Sequence, residues 1–175
     1  MRSATHSPYG LEMDIRPATQ DDVARLIAAR AEHPAAQHHI RARWETQECG
    51  EGLYLLAHRD GELVGHTLLL RESKYAEVRA AENPAEINAL DAYVRNQGIG
   101  TAIIRAAEAI AAEWNRPAIG MGVAPDNPAA RRLYERLGYH LWSGPRVIDE
   151  WTEQAADGTV VRAHADECDY LLKSL

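Results

Sequence analysis

The stretch Arg95-Asn96-Gln97-Gly98-Ile99-Gly100-Thr101 decides the reading of this chain, because an unbroken helical pattern runs on from Gly98 to about Trp114. Ile99, Ala102, Ile103, Ala106, Ala107, Ile110 and Trp114 fall at helical spacing and give that helix one apolar face. A strand pattern over Ala85–Tyr93 leads into the stretch from upstream. Glycines at a strand-to-helix passage let the backbone approach a ligand closely, and the first helical turn leaves its N–H groups without partners. Strand, loop and helix start together predict a cradle for anionic oxygens. A dinucleotide fingerprint would need a third glycine where Ile103 stands, and an acid about 20 residues further on, which is missing. A triphosphate-binding loop would need a lysine, and none lies in this region. Both of those readings fail on specific residues.

Working outward, 175 residues suit one α/β domain with a core large enough to fold unaided. A hydrophobic fraction of 46% with 26% charged residues is that of a globular protein. The net charge of −7 argues against a nucleic-acid partner, which calls for a basic face. No apolar run approaches the roughly 18 residues of a membrane span, and the first ten residues lack the apolar core of a secretory signal. Residues 1–12 are expected to be a loose polar tail, and 13–175 a single domain. Cys49 and Cys168 are expected to be free thiols of a cytoplasmic protein.

Met13–Pro17 is a predicted strand, followed by a helix with Thr19 as N-cap and Asp21 and Asp22 in its opening turn. His33-Pro34 separates it from a second, more polar helix over 35–48. Strands over Leu53–His58 and Leu63–Leu70 flank Asp60-Gly61, a hairpin signal. Glu72–Asn83 is polar and reads as a loop. Beyond the glycine stretch come a strand over Pro117–Val123, a helix over Asp126–Leu137 closed by Gly138, and strands around a turn at Ala156-Asp157-Gly158. The order β-α-α-β-β-β-α-β-α-β-β predicts a mixed sheet with helices on both faces.

A second motif, Asn127-Pro128-Ala129-Ala130-Arg131-Arg132-Leu133-Tyr134 with Gly138-Tyr139, lies downstream of the first. Arg95-x-x-Gly98-x-Gly100 together with this motif resembles the paired signatures of the GNAT acetyltransferase superfamily, and Asp60-Gly61-Glu62-Leu63-Val64-Gly65 is similar to that superfamily's turn between its second and third strands. The resemblance covers roughly residues 13–142. It implies an α/β fold with a mixed, mostly antiparallel sheet of about 6–7 strands, helices on both faces, and a central bulge or splay at an acyl-CoA site. It also implies acetyl-CoA as co-substrate. The amides of Gln97, Gly98, Ile99, Gly100 and Thr101, beside Arg95 and Asn96, would hold the pyrophosphate. Main-chain groups of Leu90, Asp91 and Ala92 would pair with the pantetheine arm, and Asn127 would contact that arm from the other side. The approach Asp91–Val94 is shorter than the family commonly has, which leaves the register of this strand against the cofactor open.

Acetyl transfer to an amine poses two proton problems. An ammonium of pKa about 10 must lose a proton before it attacks, and a departing thiolate near pKa 8.5 gains from a proton donor. The resemblance assigns the donor role to Tyr134. It offers no acid within Gly120–Val123, where some members carry their base, and so points to Glu86 at the start of the preceding strand. Strand alternation would put Glu86, Asn88 and Leu90 on one face. A substrate arriving as the neutral amine would need no dedicated base.

The acceptor is expected to be a small-molecule primary amine. Trp44, Glu45 and Glu48 on the second helix, Asn88, and Asp149 and Glu150 with Trp142 and Trp151 in the final strands are the candidates to recognise it as a cation. Arg41 and Arg43 read as part of a solvated helix face. Adjacent His38 and His39 point in different directions on a helix, with no ligand cluster beside them, so no metal is expected. A protein N-terminal or lysine acetyltransferase, and a non-catalytic acyl-CoA sensor, are the alternatives. A homodimer through the C-terminal strands is left open.

Overall fold

The computed structural model describes the backbone of Ser3–Thr5 and all of residues 13–175. The elements follow in the order β1 (Ser3–Thr5), β2 (Met13–Pro17), α1 (Gln20–Ala28), α2 (Pro34–Glu48), β3 (Gly52–Arg59), β4 (Glu62–Leu70), α3 (Ala76–Glu82) and β5 (Ala85–Ala92). After these come α4 (Ile99–Glu113), β6 (Ala118–Val123), α5 (Pro128–Arg136), β7 (His140–Leu141), β8 (Val147–Gln154) and β9 (Val160–Ser174). The sheet runs β1-β2-β3-β4-β5-β6-β9-β7, with β8 paired to β9 outside that path. Among the described residues, every pairing is antiparallel except β5 with β6.

The sheet is covered on both faces, which explains the continuous apolar run of β3. Leu55 and Ala57 turn to the α4 side, where they join Ile99, Ile103, Ile104 and Ala107. Tyr54 and Leu56 turn to the other side and meet Val23 of α1 and Ile40 of α2. A third apolar cluster joins Tyr75 and Val78 at α3 to Trp142, Val147, Cys168 and Tyr170 of the C-terminal region. At the start of α1, Thr19 and Asp22 form a reciprocal capping box. The same Asp22 carboxylate takes two hydrogen bonds from Arg16, at 2.6 and 3.2 Å, and that guanidinium holds its pKa well below the usual carboxylate range.

Three departures from the sequence reading have identifiable causes. The polar stretch expected as a loop contains α3, a short helix held by a single buried turn at Val78 and ended by Asn83 in the left-handed region. Ser3–Thr5, expected within a loose tail, adds a strand against β2, while the rest of that tail lies outside the described residues. Strand alternation also fails within β5. Between the pairs Leu68↔Asn88 and His66↔Asp91, β5 carries one residue more than β4, and Ala89 takes φ +50°. That bulge sends Leu90 and Ala92 to the α4 side, where Ile87 already packs, so Leu90 does not share a face with Glu86 and Asn88.

Candidate active site

The bulge has a second effect. β5 and β6 pair only through Ala85↔Ile119 and Glu86↔Gly120. Beyond these positions, Ile87–Ala92 and Met121–Val123 have no shared pairing, so two strand edges face each other across a gap in the middle of the sheet. Main-chain groups along such edges are free to bond a ligand inserted between them. This is the splay expected from sequence, at the expected strand.

β5 leaves the sheet after Tyr93, whose N–H donates to the Val64 carbonyl, and enters the loop that opens α4. Gly98 caps the helix at φ +73°, a conformation that glycine takes without steric cost. The first helical bond runs from the Ala102 N–H to the Gly98 carbonyl, so the amides of Ile99, Gly100 and Thr101 precede the intrahelical ladder. The Ile99 side chain is buried in the core, which leaves only its backbone for a ligand. Arg95, Asn96 and Gln97 are exposed, and Asn96 has φ +60°. Arg59, at the end of β3, donates to Gln97 Oε1 at 2.6 Å and to the Gln97 carbonyl at 3.2 Å. It braces the loop from a distant segment, and nothing in the sequence spacing pointed to it.

Asn127 and Tyr134 lie seven residues apart, two helical turns, and so share one side of α5. Asn127 is the N-cap, accepting from the Ala130 N–H at 3.1 Å. Tyr134 packs against the α4-side core beside Leu133 and meets the Tyr139 ring edge-on, with centroids 6.3 Å apart. Burial pushes its phenol above the ordinary value, so the hydroxyl is protonated at neutral pH. Leu133 also lies close to Gly100, where an added Cβ would sit 3.6 Å from Leu133 Cδ2, so α5 stands directly beside the start of α4.

Glu86 is enclosed at the point where the sheet divides, with 0% of its surface exposed. Ser73 Oγ and Tyr170 Oη donate to one carboxyl oxygen, and Asn88 Nδ2 lies 3.4 Å from the other. Burial raises its pKa against the pull of these donors. Tyr170 reaches Glu86 only because residue 120 is glycine; a Cβ there would come within 2.5 Å of the tyrosine ring. Glu86 therefore touches the cleft wall from behind, through Asn88, rather than opening into it.

The cleft itself has a volume of about 330 Å³ and is lined by His39 and Arg43 of α2, Lys74 and Tyr75, Asn88 and Ala89 at the bulge, Gly122 across the gap, and Asp149 and Trp151 of β8. An adjoining hollow of about 630 Å³ shares Gly122 and Asp149 and adds Asp126, Asp166, Glu167 and Cys168. Among the residues expected to meet an acceptor, Asn88, Asp149 and Trp151 line the cleft. The others do not: Trp44 packs with the α1–α2 cluster, Trp142 is buried in the cluster of Tyr75 and Tyr170, and Glu45, Glu48 and Glu150 are exposed outside it. Helix α2 instead presents His39 and Arg43. Asp149 is ion-paired with Lys74. Trp151 is fixed by a stack on His164, with centroids 3.8 Å apart, and by its Nε1 donating to Asp166 at 2.9 Å.

The acetyltransferase (GNAT) family matches this chain over residues 21–139. Uncharacterized protein YxbD of Bacillus subtilis (strain 168) is 38% identical over 60 residues, a stretch that covers 34% of this chain and 38% of that protein. A ribosomal-protein-alanine N-acetyltransferase from Brucella melitensis superposes with a TM-score of 0.62 at 18% identity, over 92% of this chain and 99% of the other. The putative acetyltransferase yncA from Salmonella typhimurium, solved with its cofactor acetyl-CoA, gives 0.62 at 16% identity, over 93% and 94% of the two chains. A GNAT family acetyltransferase from Elizabethkingia anophelis with acetyl-CoA bound gives 0.60 at 16%, over 93% and 98%. At such identities the structural likeness is one of fold. The family match runs from α1 to Tyr139 and contains both motifs, and the chain belongs to the acetyltransferase (GNAT) family.

Proposed function

We propose that this chain transfers the acetyl group of acetyl-CoA to a primary amine of a small molecule, by direct attack within a ternary complex. The observation that carries the reading is the gap between β5 and β6, which meets the free amides of α4 at one end and a walled cleft at the other. The fit to CoA rests on this chain's own geometry. The left-handed Gly98 turns the loop so that α4 begins with unpaired amides for a pyrophosphate, and the helix dipole adds attraction there. The strand edges at Leu90–Ala92 and Met121–Val123 leave main-chain partners for the amides of a pantetheine arm. Asn127 and Tyr134 border the same region from α5. A cleft of this size suits a compact acceptor, and β8 reaches across to α2 to wall it in, where a protein acceptor would call for an open groove.

Acetyl-CoA supplies an activated thioester. In this reading the acceptor nitrogen forms a bond to the acetyl carbon, the carbon–sulfur bond breaks, and the sulfur takes its proton from Tyr134 Oη. The proton lost by the amine restores the phenol through solvent. Glu86 enters as a positioning residue rather than the direct base, because it is closed off from the cleft and acts on it through Asn88. The acceptor then attacks as the neutral amine.

Thiol release from acetyl-CoA across a panel of amines tests the reading. Turnover should depend on the amine, and kcat/KM should rise with pH along the titration of each free amine. Slow release that no amine accelerates would leave a binding protein in place of a transferase. A kcat/KM that reaches its plateau at one pH for amines of different pKa would return the base to a protein group.

A further inference from the structure

The cleft does not have the charge expected of a site for a simple cation. Its acid, Asp149, is already paired with Lys74. Arg43, on α2, lines the cleft and lies over the Tyr54 ring, 5.8 Å from its centroid, and among the described residues it has no carboxylate partner. His39, one turn earlier, lines the cleft beside it. Arg30, just beyond α1, adds a second cation to the field around Tyr54 and the hydrogen-bonded pair His66–Tyr93, whose Nδ1 and Oη are 2.9 Å apart. Burial, with help from Arg43 and Arg30, pushes His66 down to about 4, and burial with Arg43 lowers His39. Both imidazoles are neutral at pH 7; among the described residues neither Arg43 nor Arg30 is ion-paired with a carboxylate, and Asp91 is the acid whose charge reaches this field, at Tyr93. At the other end the cleft joins a hollow at Gly122 and Asp149, where Asp126 and Asp166 lie without an ion-pair partner among the described residues and Glu167 is paired with Arg146 at 3.4 Å.

We propose that the acceptor is bipolar, an amine that also carries a carboxylate, and that the Arg43 guanidinium receives the carboxylate while the amine lies at the Gly122 end. The proposal rests on the reading of this cleft as the acceptor site. A planar guanidinium offers two parallel N–H donors that match a carboxylate, which a single ammonium cannot reproduce. The two ends of the cleft differ in sign, and so orient such a molecule with its amine toward the open strand edges. A diamine would meet Arg43 as a like charge, and an amine without an anionic group would leave Arg43 unanswered.

The test compares amino acids with the amines that lack their carboxylate, for example methionine against 3-(methylthio)propylamine and lysine against cadaverine. O-phosphoethanolamine serves as the phosphate-bearing counterpart. Binding is read by calorimetry on the protein saturated with CoA, and turnover by thiol release. At least one amino acid should bind, and be acetylated, about ten- to a hundredfold better than its partner amine, the range of a charged hydrogen-bonded contact. Arg43→Gln should collapse that ratio to near unity, and Arg43→Lys should restore only part of it. Stabilisation by acetyl-CoA confirms that each variant is folded. Equal or tighter binding of every amine than of its amino acid, an unchanged ratio in Arg43→Gln, or preference for the phosphate compound would overturn the proposal. If an amino acid binds through Arg43 but no compound turns over, the transferase reading fails and only the binding of the carboxylate by Arg43 stands.

Discussion

The two halves of the candidate site are built from different materials. The donor half is made mostly of backbone: three amides at the head of α4, a left-handed glycine, and two strand edges parted by a bulge. The acceptor half is made of side chains drawn from α2, the approach to α3, β5 and β8, segments that span more than a hundred positions of sequence. Backbone recognition constrains which residues can stand at a turn, so it leaves glycines at a fixed spacing that the sequence itself displays. Recognition by side chains from scattered segments leaves no such spacing. One chain can therefore announce its donor and conceal its acceptor.

The expected effects that would break or sharpen this contrast begin with the chemistry that both halves share. Tyr134→Phe removes the hydroxyl while keeping the ring against the core, and kcat should fall by about 10²–10³, within the range of general acid catalysis, with KM for acetyl-CoA nearly unchanged. Steady-state kinetics with a good acceptor measure this; an unchanged kcat would remove Tyr134 from the chemistry. Next comes the backbone itself. Gly98→Val forces a β-branched residue to φ +73° and should weaken acetyl-CoA roughly tenfold or more, at a cost of about 1–2 kcal/mol in stability. Apart from its own chain neighbours, nothing lies within 4 Å of the added Cβ, so loss of affinity without a clash against the rest of the fold would identify the loop conformation as the cause.

Glu86→Gln gives a smaller effect on activity and a distinctive one on stability. As a positioning change it should lower kcat/KM by less than about tenfold, short of the loss expected for a general base, and leave the pH profile following the acceptor amine. Burial raises the folded-state pKa of Glu86, so its contribution is most favourable below the unfolded value and is lost as pH rises through the folded one. The glutamine variant should therefore gain stability relative to the parent as pH rises from about 4.5, which melting curves across pH would show. A flat difference would mean that the carboxyl titrates as it does in the unfolded chain. The smallest effect on turnover belongs to Asp22→Asn, far from the gap. It should cost about 1–2 kcal/mol through the capping box and the partly exposed Arg16 pair, with activity unaffected. Because Asp22 is lowered, that stability is present above its ordinary pKa of 3.8 and fades as pH falls below it; an equal cost at pH 7 and in strong acid would contradict this.

The sequence carried the order of the central elements along the chain, the loop before α4 and the Asn127–Tyr134 spacing, because each depends on local patterns of residues. The bulge was expected only through the family resemblance, and its position at Ala89 was not legible, since an alanine at φ +50° has no signature of its own and strand alternation assumes that no residue is inserted. Nor could the sequence choose which flank of α2 faces the cleft. Ile40 and Trp44 mark the buried stripe of that helix, and at 100° per residue His39 and Arg43 lie to one side of it and Glu45 and Glu48 to the other. Both flanks are polar, so the periodicity identifies the core face and is silent about its neighbours. The acidic flank was expected to meet the acceptor, and the basic flank lines the cleft. Arg59 escaped for a related reason: it reaches Gln97 across thirty-eight positions of sequence, inside what reads as an ordinary hairpin turn.

The central claim is that the split between β5 and β6, with the amides of α4, holds acetyl-CoA. A thermal titration of the whole chain with acetyl-CoA tests it most directly. Stabilisation should grow with ligand concentration and reach about 2.7 kcal/mol at a hundredfold excess over Kd, a rise of several degrees in Tm, and Gly98→Val should need far more ligand for the same shift. No stabilisation of the parent chain at millimolar acetyl-CoA, or an equal response from both proteins, would contradict it.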